Sequence, residues 1–165
     1  MKKEYKMKIT DFINKDAICV DLKAKDKTDV LYKLVDILLK SREIKNSNRD
    51  ELFNILHERE KLGSTGIASG VAIPHGKSDL VKGITVAIGI FPDGIDFDSL
   101  DGQKTCIFAL LIAPSNFEVP HLRVLAKISR LFGNKTFKQA LINAKSPEDV
   151  IKLIATEEKN FLRDQ

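Results

Sequence analysis

Apolar positions along the chain fall into two rhythms. In "KDKTDVLYKLVDILLKS", Val30, Leu31, Leu34, Val35 and Leu38 recur at the spacing of one helical face. Asp26 or Thr28 ahead of them is a suitable N-cap, because a short oxygen side chain accepts an N–H that the first turn leaves unpaired. "NSNRDELFNILHEREKLGSTG" continues the helical period through Leu52, Phe53 and Leu56, with Ser47 and Asp50 at capping-box spacing and Gly63 marking the end. The next runs change character. "ITVAIGIF" and "TCIFALLIAP" are apolar at successive positions, the pattern of strands covered on both faces. "AICVDL" predicts a shorter strand early in the chain, and "PDGIDFDSLDGQ" predicts turns between the two long strands.

Beyond Pro114 the helical period returns in "VPHLRVLAKISRLFG", stopped by Gly133, and in "KTFKQALINAK". "SPEDVIKLIATEE" opens with Ser146 as N-cap and Pro147 at the first position, with Glu148 and Asp149 at the positive end of the helix. A helix pair, central strands and then helices predict an α/β fold: one layered domain with a central mixed sheet flanked by helices. Residues 1–165 read as a single domain, with residues 1–15 as an N-terminal arm.

Composition narrows the function classes. The 165 residues are 43% hydrophobic and 30% charged. No apolar run approaches the roughly 18 residues that span a bilayer, and "MKKEYKMKIT" lacks the apolar segment of a secretion signal. Cys19 and Cys106 both sit in apolar runs, predicting two buried, reduced thiols and a cytoplasmic location. The net charge of +4 comes without a basic stripe interleaved with aromatics, so nucleic acid is not an expected partner. A mildly basic surface suits a phosphate or an acidic protein.

The stretch "GVAIPHGKSD" resembles a nucleotide-binding loop, but five residues separate Gly70 from Gly76 where that loop has four. "SDLVKG" after Lys77 is also too short for the helix whose N-terminus would help hold phosphate. His75 is the better candidate. It stands between Pro74, which restricts the backbone, and Gly76, which lets main chain approach a ligand closely. Ahead of it "GSTGIASG" can aim backbone N–H groups and the Ser64 and Thr65 hydroxyls at an anion. A neutral imidazole can attack phosphorus and hold it as phosphohistidine. The plain alternative is a turn histidine beside a loop.

Two further residues bear on that choice. Arg59, three residues after Leu56, flanks the buried helix face one turn from the glycine loop, where its planar donor fork can reach the site. Otherwise it is a surface arginine in "HEREK". His121 follows Pro120 at the start of a helix leaving a central strand, where ligand crevices form in α/β sheets. Otherwise it is a helix cap. His57 is expected to face solvent. If "ITVAIGIF" and "TCIFALLIAP" pair, the segments carrying His75 and His121 meet at one sheet edge. A zinc hydrolase built on those two histidines lacks a third ligand, since no H-E-x-x-H or Cys/His cluster is present.

"EREKLGSTGIASGVAIPHGKSD", with "GIDFDSLDGQ" and "PHLRVLAKISRLF" downstream, resembles the enzyme IIA domain of the bacterial sugar phosphotransferase system, fructose/mannitol type. The resemblance runs from "DAICVDL" to "SPEDVIKLI", with Ala68 where the family often has glycine. It implies that His75 carries the phosphoryl group, assisted by Arg59 and His121, with Ser64, Thr65 and Gly76 around the phosphate. It implies no metal and no cofactor beyond the covalent phosphoryl group on His75. The implied partners are the histidine-containing phosphocarrier protein as donor and a cysteine of enzyme IIB as acceptor, with the membrane component IIC downstream. A regulatory member of the family, acting by phosphorylation-dependent protein binding, would use the same histidine.

Overall fold

The computed structural model describes residues 7–41 and 44–163 of the chain. Strand β1 (Ile13–Cys19) leads to helices α1 (Lys27–Leu39) and α2 (Arg49–Lys61). Two short strands, β2 (Val71–Ala72) and β3 (His75–Lys77), precede the long strands β4 (Thr85–Ile95) and β5 (Thr105–Ala113). Helices α3 (Glu118–Leu131), α4 (Lys135–Ile142) and α5 (Pro147–Arg163) complete the chain. Among the described residues no helix is long and apolar enough to cross a membrane.

The sheet is mixed. β1 lies parallel to β4, β4 antiparallel to β5, and β2 and β3 both pair in parallel with the far side of β5. Strand alternation divides the apolar runs between two cores. Ala87, Phe108, Leu110 and Ile112 pack under α1 and α2. Val86, Ile88, Ile90, Ile107, Ala109 and Leu111 pack under α3, α4 and α5. Period-two alternation with helices on both faces makes the continuous apolar runs of β4 and β5 necessary. The expected layered α/β architecture is the one observed.

Two of the three predicted helix caps form. Asp26 caps α1 by accepting the Asp29 N–H at 2.8 Å, and Ser146 accepts the Asp149 N–H at 3.2 Å ahead of α5. The capping box expected from Ser47 and Asp50 does not form. A 3-10 turn over Asn46–Asn48 enters α2, and its N-cap, Asn48, makes no side-chain cap bond. The Arg49 side chain instead pairs with Asp36 of α1.

Three other expectations change. The N-terminal arm shrinks, although residues 1–6 lie outside the described part. A 3-10 turn at Ile9–Phe12 buries Ile9 and leads into β1 at Ile13, ahead of "AICVDL". Buried Glu158 of α5 accepts the Ile9 N–H at 2.9 Å and pairs with Lys127 of α3 at 3.2 Å, so the segment is tied to two helices. β4 runs past Pro92 to Ile95 where a turn was expected. A register shift between Ile90 and Ile95 absorbs the proline, and Gly94 takes φ 74°. Cys19 and Cys106 are free but half-buried, with burial pushing both thiols above their ordinary pKa.

Leu34 of α1 is fully buried and packs where the sheet has no side chain, since a Cβ on Gly89 would lie 2.9 Å from its Cδ2. Leu34→Ala should therefore lower unfolding free energy by about 2–5 kcal/mol, read from a urea or guanidinium midpoint. A loss below about 1 kcal/mol would mean that the α1 face collapses to fill the space.

Candidate functional site

The edge of β5 builds the site. β2 and β3 are two parts of one edge interrupted at Ile73–Pro74, and proline is tolerated there because an edge position need not donate. Its carbonyl still accepts the Leu111 N–H at 2.9 Å. His75, Gly76 and Lys77 then run beside Leu111, Ile112 and Ala113, the last residues of β5. Alternation along β3 sends neighbouring side chains to opposite faces. A Cβ on Gly76 would lie 2.7 Å from Ile55 Cγ2, so this position packs against α2. His75 and Lys77 point the other way, toward α3, where Lys77 Nζ pairs with Glu118 at 2.9 Å.

His121 comes to the same place because α3 starts five residues after β5 ends. A second clip holds the two segments together: Asp79 accepts the Ser115 N–H at 3.0 Å and its hydroxyl at 2.8 Å. The imidazoles of His75 and His121 meet edge-to-face, their centroids 5.7 Å apart. β4 and β5 do pair, as the sequence argument for bringing the histidines together required. The histidines meet by a different route, because His75 opens a strand of its own on the opposite edge of β5.

Nitrogen chemistry on the two rings is well defined. His75 Nδ1 lies 2.7 Å from the Ile73 carbonyl, which can only accept, so Nδ1 carries the proton and Nε2 keeps its lone pair. Burial pulls the His75 pKa below the ordinary imidazole value. The Ile73 bond and the Glu60 charge oppose that shift, and the Arg59 charge adds to it. His121 is almost fully buried, its pKa lowered by burial first and then by the charges of His75 and Lys77. Its Nε2 has no hydrogen-bond partner. An orphaned nitrogen costs stability unless another state supplies its partner.

The remaining predicted residues divide. Arg59 lies in the last turn of α2, where its charge is felt at His75 and Nη1 donates to the Gly63 carbonyl at 2.8 Å. The Ser64 and Thr65 hydroxyls are bonded away from His75. The Ser64 hydroxyl donates to the Phe97 carbonyl at 2.8 Å, and that of Thr65, a buried residue, donates to Glu60. Gly76 gives close approach to helix α2. His57, expected to face solvent, is half-buried and stacks on Phe53 at 5.2 Å.

"GSTGIASGVAI" forms a hairpin. The Ile67 N–H bonds the Val71 carbonyl at 2.9 Å, and the Ile73 N–H bonds that of Thr65 at 3.0 Å. Ser69 and Gly70 both have positive φ, 55° and 83°, as a tight two-residue turn requires. The Ser-Gly dipeptide is the signal that could have revealed it. "GIDFDSLDG" straps this hairpin: Asp101 accepts the Ser69 N–H at 2.9 Å, and Lys138 of α4 reaches its carbonyl at 3.0 Å. Glu60 and Lys138 went unnoticed in the sequence because nothing local marks a charged residue as buried.

Among the described residues, no group of three or more His, Cys, Asp and Glu side chains stands together as a metal site would need. Nor does a helix open after Lys77 as a nucleotide loop demands. A strand-borne histidine with a bare Nε2, facing a second imidazole, remains. A family model, phosphoenolpyruvate-dependent sugar phosphotransferase system, EIIA 2, matches residues 11–157. The chain belongs to this family. It is 34% identical over 149 residues to a nitrogen regulatory protein of Bradyrhizobium diazoefficiens, covering 90% of this chain and 95% of that one. It is 31% identical over 153 residues to the PTS system fructose-specific EIIABC component of Bacillus subtilis, covering 93% of this chain and 24% of that longer protein. The fold matches the nitrogen regulatory protein IIA-Ntr of Neisseria meningitidis with a TM-score of 0.81 and 30% identity, over 88% of this chain and 98% of that one. The EIIA chain is thus similar to both sugar-specific and nitrogen-regulatory relatives.

A lowered pKa has a testable sign. The neutral ring persists at any pH above the depressed value, so both histidines should remain neutral below pH of about 6.5, where an ordinary imidazole is half protonated. Nitrogen-15 NMR titration should place both midpoints under about 6.5, the ordinary imidazole value. Midpoints above it would show that burial does not govern the pair.

Proposed function

We propose that this EIIA chain is a phosphoryl carrier that accepts phosphate on Nε2 of His75 from the histidine-containing phosphocarrier protein and passes it to a cysteine of enzyme IIB. The reading rests on one observation: the Nδ1 proton of His75 is committed to the Ile73 carbonyl, which leaves Nε2 unprotonated beside His121. The Nε2 lone pair attacks phosphorus in line, and the phosphorus–nitrogen bond to the donor histidine breaks with its electron pair returning to that ring. His75 keeps its Nδ1 proton and becomes cationic. In the second step a cysteine thiolate attacks, and His75 leaves as neutral imidazole. Transfer needs positioning and charge stabilisation by fixed donors. Arg59 supplies a planar fork, and the unpartnered Nε2 of His121 supplies a donor when it carries the ring proton. Exposed Leu62 beside α2, Leu100 on the strap, and Val119 and Leu122 on α3 offer partners apolar contact around this centre.

A regulatory reading uses the same chemistry on His75 and ends in phosphorylation-dependent protein binding. The fold match to the nitrogen regulatory protein IIA-Ntr, with a TM-score of 0.81 at 30% identity, favours it. Incubation of labelled phospho-protein with a fructose-type enzyme IIB separates the two. Transport predicts movement of label to the IIB cysteine, and regulation predicts that the label stays on His75.

Intact-mass spectrometry after incubation with phosphoenolpyruvate, enzyme I and the phosphocarrier should show one acid-labile phosphoryl group, absent in His75→Ala. Label persisting in that variant would move the acceptor elsewhere. Arg59→Lys keeps the charge and loses the bidentate fork, so it should fold normally and lose about 1–3 kcal/mol of transition-state stabilisation. His121→Gln should still accept phosphate, more slowly, because an amide can donate but cannot titrate. Wild-type rates in either variant would remove that residue from the transfer step.

A further inference from the structure

Glu60 sits next to Arg59 in sequence, yet it is buried while Arg59 is partly exposed. Its two oxygens accept the Thr65 N–H at 3.2 Å each, and one also accepts the Thr65 hydroxyl. Lys27, the first residue of α1, closes the set with Nζ 3.0 Å from Oε2 and 4.7 Å from the Phe97 ring centroid. A buried carboxylate is tolerated only when paired and hydrogen-bonded, and these contacts meet both conditions. They also join α1, the end of α2, the hairpin and the strap at one place.

The bonds continue toward the acceptor. Thr65, held by Glu60, takes the Ile73 N–H on its carbonyl at 3.0 Å. Ile73 in turn offers its own carbonyl to His75 Nδ1 at 2.7 Å. Each link fixes the next residue, so the orientation of the Ile73 carbonyl depends on where Glu60 anchors the first strand of the hairpin. That carbonyl selects the ring tautomer that leaves Nε2 free.

We propose that Glu60 is a positioning residue for phosphoryl transfer, acting through Thr65 and Ile73 to hold His75 in its Nδ1–H tautomer. Its role extends to charge. The groups facing His75 are Arg59 and Glu60 from α2 and His121 from α3, while Lys77 on its own strand is paired with Glu118. Arg59 opposes a cationic ring and Glu60 favours one. When Nε2 forms its bond to phosphorus the ring becomes cationic, and the buried carboxylate offsets the charge that Arg59 opposes.

The inference rests on the phosphoryl-carrier reading for its purpose, but its first test needs no phosphate. In Glu60→Gln, nitrogen-15 NMR of His75 should show the Nε2–H tautomer gaining population and the ring titrating at lower pH than in wild type. Phosphoryl acceptance should fall about 10- to 100-fold, the scale of an ångström-level misplacement. If Lys27, left with only the exposed Asp98 at 3.5 Å, prevents folding, Lys27→Met/Glu60→Gln removes both charges of the buried pair and is read in the same way. A folded variant with wild-type tautomer, titration and rate would overturn the proposal. If the wild-type chain fails to take phosphate at His75 while the tautomer shift appears, the positioning chain stands and the carrier reading falls.

Discussion

The parallel pairing of β3 with the end of β5 is the contact on which the site depends. It sets His75 opposite Leu111, close to where β5 gives way to the segment leading into α3. No long side chain has to span the space between the histidines, because the backbone ladder has already brought their elements together. Gly76 is required by the same pairing, since any larger residue there would push β3 away from Ile55. The clips from Lys77 to Glu118 and from Asp79 to Ser115 then fix α3 against that edge. Both clips are exposed and contribute modest energy. Their value is geometric, as they join the two segments that carry the imidazoles.

Burial tunes the pair in one direction. Both rings are held below the ordinary imidazole pKa, chiefly by desolvation, and each therefore keeps a neutral form suited to attack or to donation. The orphaned His121 Nε2 is a local cost of the resting fold. In the proposed carrier reading, a phosphoryl oxygen is a partner of the right kind for it.

Much of this was legible in residue types. The periodicity of α1 and its Asp26 cap, the doubly covered strands and the Ser146–Pro147 start of α5 are local features, and each appears in the structure. His75 stood out because a proline and a glycine bracket it. The departures have local causes too. β2 and β3 are shorter than any periodic window, β4 passes through its own proline by a bulge, and the hairpin hides in a stretch that reads as a flexible glycine loop. Ser64 and Thr65 look like free hydroxyls in sequence, and only their contacts with Phe97 and Glu60 show that their protons are spent.

The sequence by itself determined the layered α/β class, the covered strands and the caps of α1 and α5, and it singled out His75 as the candidate for chemistry. These follow from side-chain pattern and backbone preference within a few residues. Tertiary structure alone decided that His121 lies edge-on to His75, that Glu60 is buried under the hairpin and that Nδ1, not Nε2, carries the proton. His121 reaches His75 through the β3–β5 pairing, Glu60 is closed in by Lys27 of α1 and by Thr65, and the Nδ1 proton is set by the strand backbone that aims the Ile73 carbonyl at the ring. That information is held in the pairing of the strands and the packing of the helices, and in no short stretch of the chain.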